Sequence, residues 1–449
     1  MEYKKKAMKA PMSGVRVLAL GFIILIIIGG IILSLPISSK SGESTNLLDS
    51  FFTATSAVCV TGLITLDTGT YWNEFGKVVI MILIEIGGLG FMAFTTLLAI
   101  LLKKRITLRD RLIMQEAMNA FSLEGLVKMV KRIVLFTIMV QIIGGLILAT
   151  QFIKDYGFFK GFCYGIFHSV SAFCNAGFDL FGNYSSVTSY SNNAIVLLTL
   201  SVIIIVSGLG FSVIMEILRY KKTKRLSTHS ELVLLITSIL IVVGIVFMFL
   251  LEYKNPETLG PMSIKDKITN AIFAGVSPRT AGFNSVSLDK MTSGGKFLTI
   301  ILMFIGGSPG STAGGLKTAT FGIILLTVLS VIKGREDTEL FGRRLSKELV
   351  YKAFSILMIS VSLIVMVTML LCITQTGEDF IDLFYEATSA FATVGLTTGV
   401  TQRLNFIGKI IIMITMYFGR VGPLTVALAL TNKRKNTGYK YPETKILIG

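Results

Sequence analysis

The hydrophobic pattern divides the chain into long apolar segments separated by short polar connections. Each long segment is close to or above the roughly 20 residues that a helix needs to cross the hydrocarbon core of a bilayer. The pattern therefore predicts eight membrane-spanning helices. They lie near residues 15–36, 76–102, 129–153, 193–218, 231–252, 296–332 (interrupted), 348–374 and 407–430.

A shorter, semi-apolar segment lies between the two helices of each successive pair. These segments cover residues 48–63, 162–178, 271–283 and 381–396. Each contains a glycine followed by Leu or Phe, and in three of them a Ser-Ala dipeptide begins six residues before it. The glycines are Gly62, Gly177, Gly282 and Gly395. They are spaced about 110 residues apart, and such regular recurrence indicates an internal repeat.

A second motif recurs downstream of each glycine, at residues 87–91, 207–211, 306–310 and 419–423. The repeating unit is therefore a spanning helix, a half-membrane helix ending at a glycine, and a glycine-bearing spanning helix. We expect an all-α integral membrane fold of four tandem helix–pore loop–helix repeats around one central pore. The predicted repeats are residues 1–105, 106–225, 226–346 (with a broken second helix) and 347–449 (with a short cytoplasmic tail).

Composition supports a membrane protein, and the charge pattern orients it. The chain is 52% hydrophobic and 15% charged, against about 25% charged in soluble domains. Its net charge of +17 comes from clusters between the apolar runs, so we expect no nucleic-acid partner. The clusters lie at residues 4–9, 103–111, 219–225, 333–347 and 433–435. By the positive-inside rule, both termini are cytoplasmic and the pore loops face outward.

The four glycine segments have the features of a cation filter. A segment of about a dozen residues cannot cross the membrane, and its non-helical part must be enclosed by protein or face water. Four such loops would supply a ring of backbone carbonyls, which holds a dehydrated potassium ion. The alternative is that the glycines only cap buried half-helices. The predicted K⁺ ligands are Val60, Thr61, Gly62, Asn175, Ala176, Gly177, Thr280, Ala281, Gly282, Thr393, Val394 and Gly395.

The second helix of the third repeat is interrupted by a segment rich in glycine and serine. Proline and five glycines cannot maintain a helix there, and irregular polar backbone at membrane depth is tolerated only beside a cavity. We expect a loop beneath the filter that obstructs or clears the pore; a static hinge is the alternative. The predicted gate residues are Gly306, Gly307, Ser308, Pro309, Gly310, Ser311, Thr312, Ala313, Gly314 and Gly315.

Arg420 is the second departure from the repeat. It occupies the position of Gly88 and Gly208, within an apolar helix. A guanidinium at membrane depth costs about 3 kcal/mol on insertion scales, so it should face a cavity or a partner. We expect Arg420 to act as an electrostatic barrier that forms part of the gate; an ion pair with Glu85 is the alternative.

These features resemble the Trk/Ktr/HKT superfamily of potassium transporters, and specifically the membrane subunit of bacterial Ktr systems. The resemblance covers nearly the whole chain and rests on the four glycines, the break at 306–315 and Arg420. It implies potassium uptake, because Gly62 stands where plant relatives that prefer sodium carry serine. It also implies a homodimer on a cytosolic RCK-type ring that binds ATP or ADP, with sodium as an activator.

Two other classes of function are alternatives to a pore. A membrane enzyme would need clustered catalytic or metal-binding groups, which a chain with two histidines does not display, so we predict no enzyme. We expect no covalently bound cofactor. The chain lacks a P-loop and a nucleotide-binding glycine motif after a strand, so any nucleotide control must come from a partner. A coupled secondary transporter of another small cation or solute is the remaining alternative.

Overall fold

The computed structural model describes residues 14–90 and 125–422, together with positions 94, 111, 112 and 115. The basic clusters predicted at residues 4–9 and 433–435, and most of the cluster at 103–111, lie outside the described residues. Within the described residues the protein is helical, apart from one short hairpin, and its helices follow the repeating order predicted from the sequence.

The first helix of each repeat is long and apolar. All four have the length and hydropathy to span a membrane. Many of their large apolar side chains are exposed, including Ile24, Leu135, Val242 and Met369, as expected for surfaces that face lipid. These helices are Gly14–Ser34, Leu126–Tyr156, Thr228–Glu252 and Lys347–Thr374.

A short pore helix follows the first helix in every repeat. In three of the four pore helices, the residue that caps the C-terminal end has left-handed backbone dihedral angles. The second pore helix ends at Cys174 and leads directly into its glycine loop. Most of their residues are buried, so the loops that follow them lie in the interior of the protein. The pore helices are Leu47–Cys59, Phe158–Cys174, Ile264–Val276 and Phe380–Ala392.

The second helices are shorter or broken. They are Glu74–Leu89, Ala194–Gly208 with Phe211–Thr223, Ser293–Phe304 with Thr318–Ile332, and Phe406–Val421. The break predicted in the third repeat is present, but the helices predicted over 76–102, 193–218 and 407–430 are not continuous. Most of residues 91–102 and all of 423–430 lie outside the described residues. The three helices end or bend at Gly90, Gly210 and Gly422, which have φ of 85°, 90° and 93°. Only glycine adopts such values readily, and the bend in the second repeat is 98°.

The connections contain little further regular structure. A single turn of helix covers Val400–Arg403, and 3₁₀ turns cover Pro36–Ser38 and Thr188–Tyr190. Strands Glu339–Leu340 and Arg343–Arg344 pair antiparallel between the third and fourth repeats. This hairpin is a small exception to the predicted all-α fold.

Ion pairs join neighbouring repeats. Lys296, in the second helix of repeat 3, lies 2.8 Å from Asp382 in the pore helix of repeat 4. Lys409, in the second helix of repeat 4, lies 2.7 Å from Asp49 in the pore helix of repeat 1. All four side chains are mostly buried. The chain therefore closes on itself, with its last repeat packed against its first.

Candidate cation pore

The four glycine loops (the filter loops, residues 60–63, 175–178, 280–283 and 393–396) meet in a closed ring. A Cβ atom placed on Gly62 would collide with the carbonyl oxygen of Ala176, and one on Gly177 would lie 2.8 Å from the Cα of Gly282. A Cβ on Gly282 would collide with the carbonyl oxygen of Val394, and one on Gly395 would collide with the carbonyl oxygen of Thr61. Each glycine therefore contacts the filter loop of the next repeat, and the fourth contacts the first.

The backbone of the filter loops alternates in handedness. The residue two positions before each glycine has a positive φ: 57° at Val60, 59° at Asn175, 79° at Thr280 and 49° at Thr393. The four glycines also have positive φ, between 67° and 94°, while the residues between have negative φ. Left-handed backbone at a β-branched residue costs on the order of 1–3 kcal/mol and is concentrated at functional sites.

Serine hydroxyls hold the filter loops against the pore helices. The N–H of Gly62 donates to Ser56 Oγ at 3.0 Å, and the N–H of Gly395 donates to Ser389 Oγ at 3.1 Å. Ser171 Oγ donates to the carbonyl of Phe178 at 2.8 Å. In the third repeat, Ser277 Oγ makes the same bond to Phe283. Ser277 lies five residues before its glycine instead of six, so the shared Ser-Ala pattern did not reveal it.

Every filter loop also contains a buried side-chain oxygen without a hydrogen-bond partner among the described residues. These atoms are Thr61 Oγ1, Asn175 Oδ1, Thr280 Oγ1 and Thr393 Oγ1. An unsatisfied buried polar atom costs about 1–3 kcal/mol, and several in one place indicate a site for water or an ion. All four filter loops therefore carry a buried oxygen whose bonding capacity the described residues leave unused.

The interrupted helix of repeat 3 places residues 306–315 (the intramembrane loop) against the filter loops. Thr312, which is 1% exposed, accepts a bond from Asn175 Nδ2 at 2.8 Å and donates to the carbonyl of Phe173 at 3.1 Å. Gly314 packs so closely on Thr393 that a Cβ there would overlap its side chain. The intramembrane loop therefore contacts filter loops from two other repeats.

The intramembrane loop also bonds to the bend in the second helix of repeat 2. Ser308 N–H donates to the carbonyl of Gly208, and Phe211 N–H donates to the carbonyl of Gly310, both at 2.9 Å. A Cβ on Gly210 would lie 2.7 Å from the carbonyl oxygen of Pro309. The glycine motif of repeat 2 is therefore the point where one broken helix accommodates another.

Arg420 connects the intramembrane loop to the first repeat. Its Nη1 donates to the carbonyl of Thr312 at 2.6 Å, and its Nη2 donates to the carbonyls of Gly87 and Gly88. The alternative of an ion pair between Arg420 and Glu85 is wrong within the described residues. Glu85 instead accepts a bond from Gln141 Nε2 at 2.7 Å.

Two buried groups on the pore helices support the segments outside the filter. His168 accepts a bond from Leu180 N–H at 3.4 Å and stacks on Phe181, with 4.3 Å between ring centroids. At the corresponding position of repeat 4, Glu386 accepts bonds from the hydroxyls of Thr397 and Thr401. Both side chains are fully buried. The sequence pattern did not identify Glu386, because its partners lie more than ten residues away.

Comparisons with known proteins support a transport function. The family model described as "TrkH: Cation transport protein" matches residues 15–438. The chain is 43% identical to the "Potassium/sodium uptake protein NtpJ" of Enterococcus hirae, over 100% of both proteins. It is 39% identical to the "Ktr system potassium uptake protein B" of Bacillus subtilis, covering 97% of this chain and 96% of the relative.

A solved structure has the same fold. The crystal structure of the potassium transporter TrkH from Vibrio parahaemolyticus aligns with a TM-score of 0.74 at 19% identity. The alignment covers 95% of this chain and 86% of that protein. The chain therefore belongs to the TrkH family of cation transport proteins, and it is a multi-pass membrane transporter and not an enzyme.

Proposed function

We propose that this protein takes up potassium across the cell membrane, through a filter made of the twelve residues at 60–62, 175–177, 280–282 and 393–395. The observation that carries the proposal is the closed ring of glycine contacts, in which each filter loop meets the next. Carbonyl rings of this kind replace the hydration shell of potassium. The unpartnered oxygens of the filter loops give further support.

The gate consists of the intramembrane loop and Arg420. The loop contacts the filter loops of repeats 2 and 4 through Thr312 and Gly314. Arg420 bonds to the carbonyl of Thr312 from one side and to those of Gly87 and Gly88 from the other. The guanidinium links the intramembrane loop to repeat 1 by hydrogen bonds. Breaking these bonds would therefore free the loop to leave the path of the ion.

The remaining parts of the proposal concern assembly and orientation. We infer a homodimer whose subunits have cytoplasmic termini and the repeat boundaries predicted above. A cytosolic subunit that binds ATP or ADP controls the gate, and sodium activates uptake. The positive clusters support this orientation. The "Ktr system" names of relatives from Bacillus subtilis and Vibrio alginolyticus support a multi-subunit system.

A coupled transporter of another small cation is the second candidate function. The name of the Enterococcus hirae relative includes sodium as well as potassium. Such a transporter would still use the ring, but its flux of one cation would depend on the gradient of another.

The test is ion uptake in cells that lack their own potassium uptake systems. We expect the wild-type protein to restore potassium uptake, Gly62→Ser to admit sodium, and deletion of 306–315 to give faster, unregulated uptake. Serine at position 62 would need φ near 93°, and its Cβ would meet the carbonyl of Ala176, so it must widen the ring.

Gly42→Ser is the matched control. Gly42 also has a positive φ, of 74°, but no atom lies within 4 Å of an added Cβ. The control should keep wild-type selectivity, because it carries the backbone strain without the collision. If Gly62→Ser and Gly42→Ser were equally selective for potassium, the proposed filter would be wrong. If wild-type potassium uptake required a sodium or proton gradient, the coupled transporter would replace the pore.

A further inference from the structure

Two carboxylates are buried just outside the filter, where repeats 1 and 2 meet. Asp67 and Asp179 follow the first and second filter loops and are 6% and 5% exposed. Asp67 Oδ2 accepts a bond from Asn183 N–H at 2.7 Å, and Asp179 Oδ1 accepts one from Phe181 N–H at 3.0 Å. Both side chains therefore bond to the same short segment, residues 181–183.

No basic side chain in the described part of the chain forms an ion pair with either carboxylate. Gly182 lies between the residues that donate to the two carboxylates, and an added Cβ there would be 3.4 Å from Asp67 Oδ2. Two buried like charges are unfavourable unless a counter-charge accompanies them.

Unpartnered oxygens lie in the same turn. Asp67 Oδ1 is buried and has no hydrogen-bond partner within the described ranges, although its other oxygen has two. Thr68 is fully buried, and its Oγ1 also lacks a partner there. Thr65 is partly buried, and its Oγ1 has no partner among these residues either. These atoms are a carboxylate oxygen and two hydroxyls within four residues of sequence, and unpartnered buried oxygens of this kind call for a water or an ion.

We propose that Asp67 and Asp179, together with the hydroxyl of Thr68, bind a divalent cation of the calcium type beside the outer mouth of the filter. Two carboxylates carry the charge that a divalent ion neutralises. Calcium accepts six to eight oxygens in irregular geometry, as loop residues provide, whereas magnesium requires a near-ideal octahedron. Asp179 is two residues after Gly177, so the bound ion holds the second filter loop against the segment that follows the first.

The experiment measures the purified full-length protein in detergent, at constant potassium concentration and ionic strength. Thermal unfolding is followed with calcium, magnesium or sodium added, in each case replacing an organic cation. We expect calcium to raise Tm with saturation at about 1 mM, the range of extracellular calcium modules. Equilibrium dialysis with radioactive calcium should show one ion bound per subunit. This readout does not require transport, so it can fail independently of the proposed potassium uptake.

The variants are Asp67→Asn and Asp179→Asn, with Asp289→Asn as the matched control. Asp289 lies between the third filter loop and the second helix of repeat 3, a place in the repeat similar to that of Asp67 in repeat 1. Unlike Asp67, Asp289 is exposed. Both site variants should lose the calcium-dependent rise in Tm and the bound calcium, while the control keeps both. No calcium-dependent rise in the wild type, or equal rises in all variants, would overturn the site. A rise with sodium alone would overturn its assignment to a divalent ion.

Discussion

The bonds of Arg420 make a quantitative prediction about the gate. The guanidinium donates to the carbonyl of Thr312 in the intramembrane loop and to the carbonyls of Gly87 and Gly88 in repeat 1. A hydrogen bond to a charged group contributes about 1.5–3 kcal/mol. If only the bond to Thr312 holds the loop, its loss removes about 2 kcal/mol from the closed state. That shift multiplies the open-to-closed ratio about 30-fold.

Arg420→Gln and Arg420→Lys separate two explanations of this residue. Glutamine removes both the charge and the forked donor, while lysine keeps the charge but cannot donate in two directions with a planar group. If the bonds to the two sides restrain the loop, both variants should increase the maximal rate of uptake. If the positive charge alone limits flux, only glutamine should do so.

The assay is rubidium or potassium uptake into proteoliposomes at a fixed membrane potential, normalised to the amount of reconstituted protein. Arg403→Gln is the control, because Arg403 is half-exposed and pairs with Glu378 outside the spanning helices. We expect both Arg420 variants to be at least several-fold faster than the wild type, and the control to be unchanged. A wild-type rate in Arg420→Lys would refute the argument that the hydrogen bonds hold the gate closed.

Two further predictions concern contacts between repeats. Lys296→Met should lower the free energy of unfolding by about 3–5 kcal/mol, because it leaves the mostly buried Asp382 unpaired. Lys290→Met should leave that free energy nearly unchanged, because Lys290 and its partner Glu257 are both exposed to solvent. Chemical unfolding in detergent would contradict this if both variants lost equal stability. Thr312→Val should lower potassium selectivity over sodium, because it removes the bond to Asn175; competitive uptake with unchanged selectivity would contradict the coupling.

The repeat and the positions of the filter loops could be predicted from sequence because they depend on local features. Each pore helix ends three to six residues before a glycine with positive φ, and the four glycines recur at similar spacing. Packing four equivalent units around one axis then brings the glycines together. The role of the twelve residues in binding potassium remains a prediction.

The interruptions at Gly90, Gly210 and Gly422 in the other second helices could not be predicted, because glycine in a membrane helix has two uses. It allows close packing of helices, and it allows positive φ. Gly88 and Gly90 fit both uses by sequence, yet only Gly90 has a positive φ. The hydrogen-bond partners of Arg420 could not be predicted from the sequence either, because they are backbone carbonyls that any residue could supply. Such contacts depend on the tertiary arrangement alone.

The most direct test of the central claim is anomalous X-ray diffraction from crystals grown with rubidium in place of potassium. We expect an anomalous peak on the axis of the ring, surrounded by the carbonyl oxygens of Thr61, Ala176, Ala281 and Val394. In crystals grown with sodium, we expect no ion at this position with the same arrangement of carbonyl ligands. Rubidium bound only outside the ring, or a ring without an anomalous peak at saturating rubidium, would contradict the claim that these four loops select the transported ion.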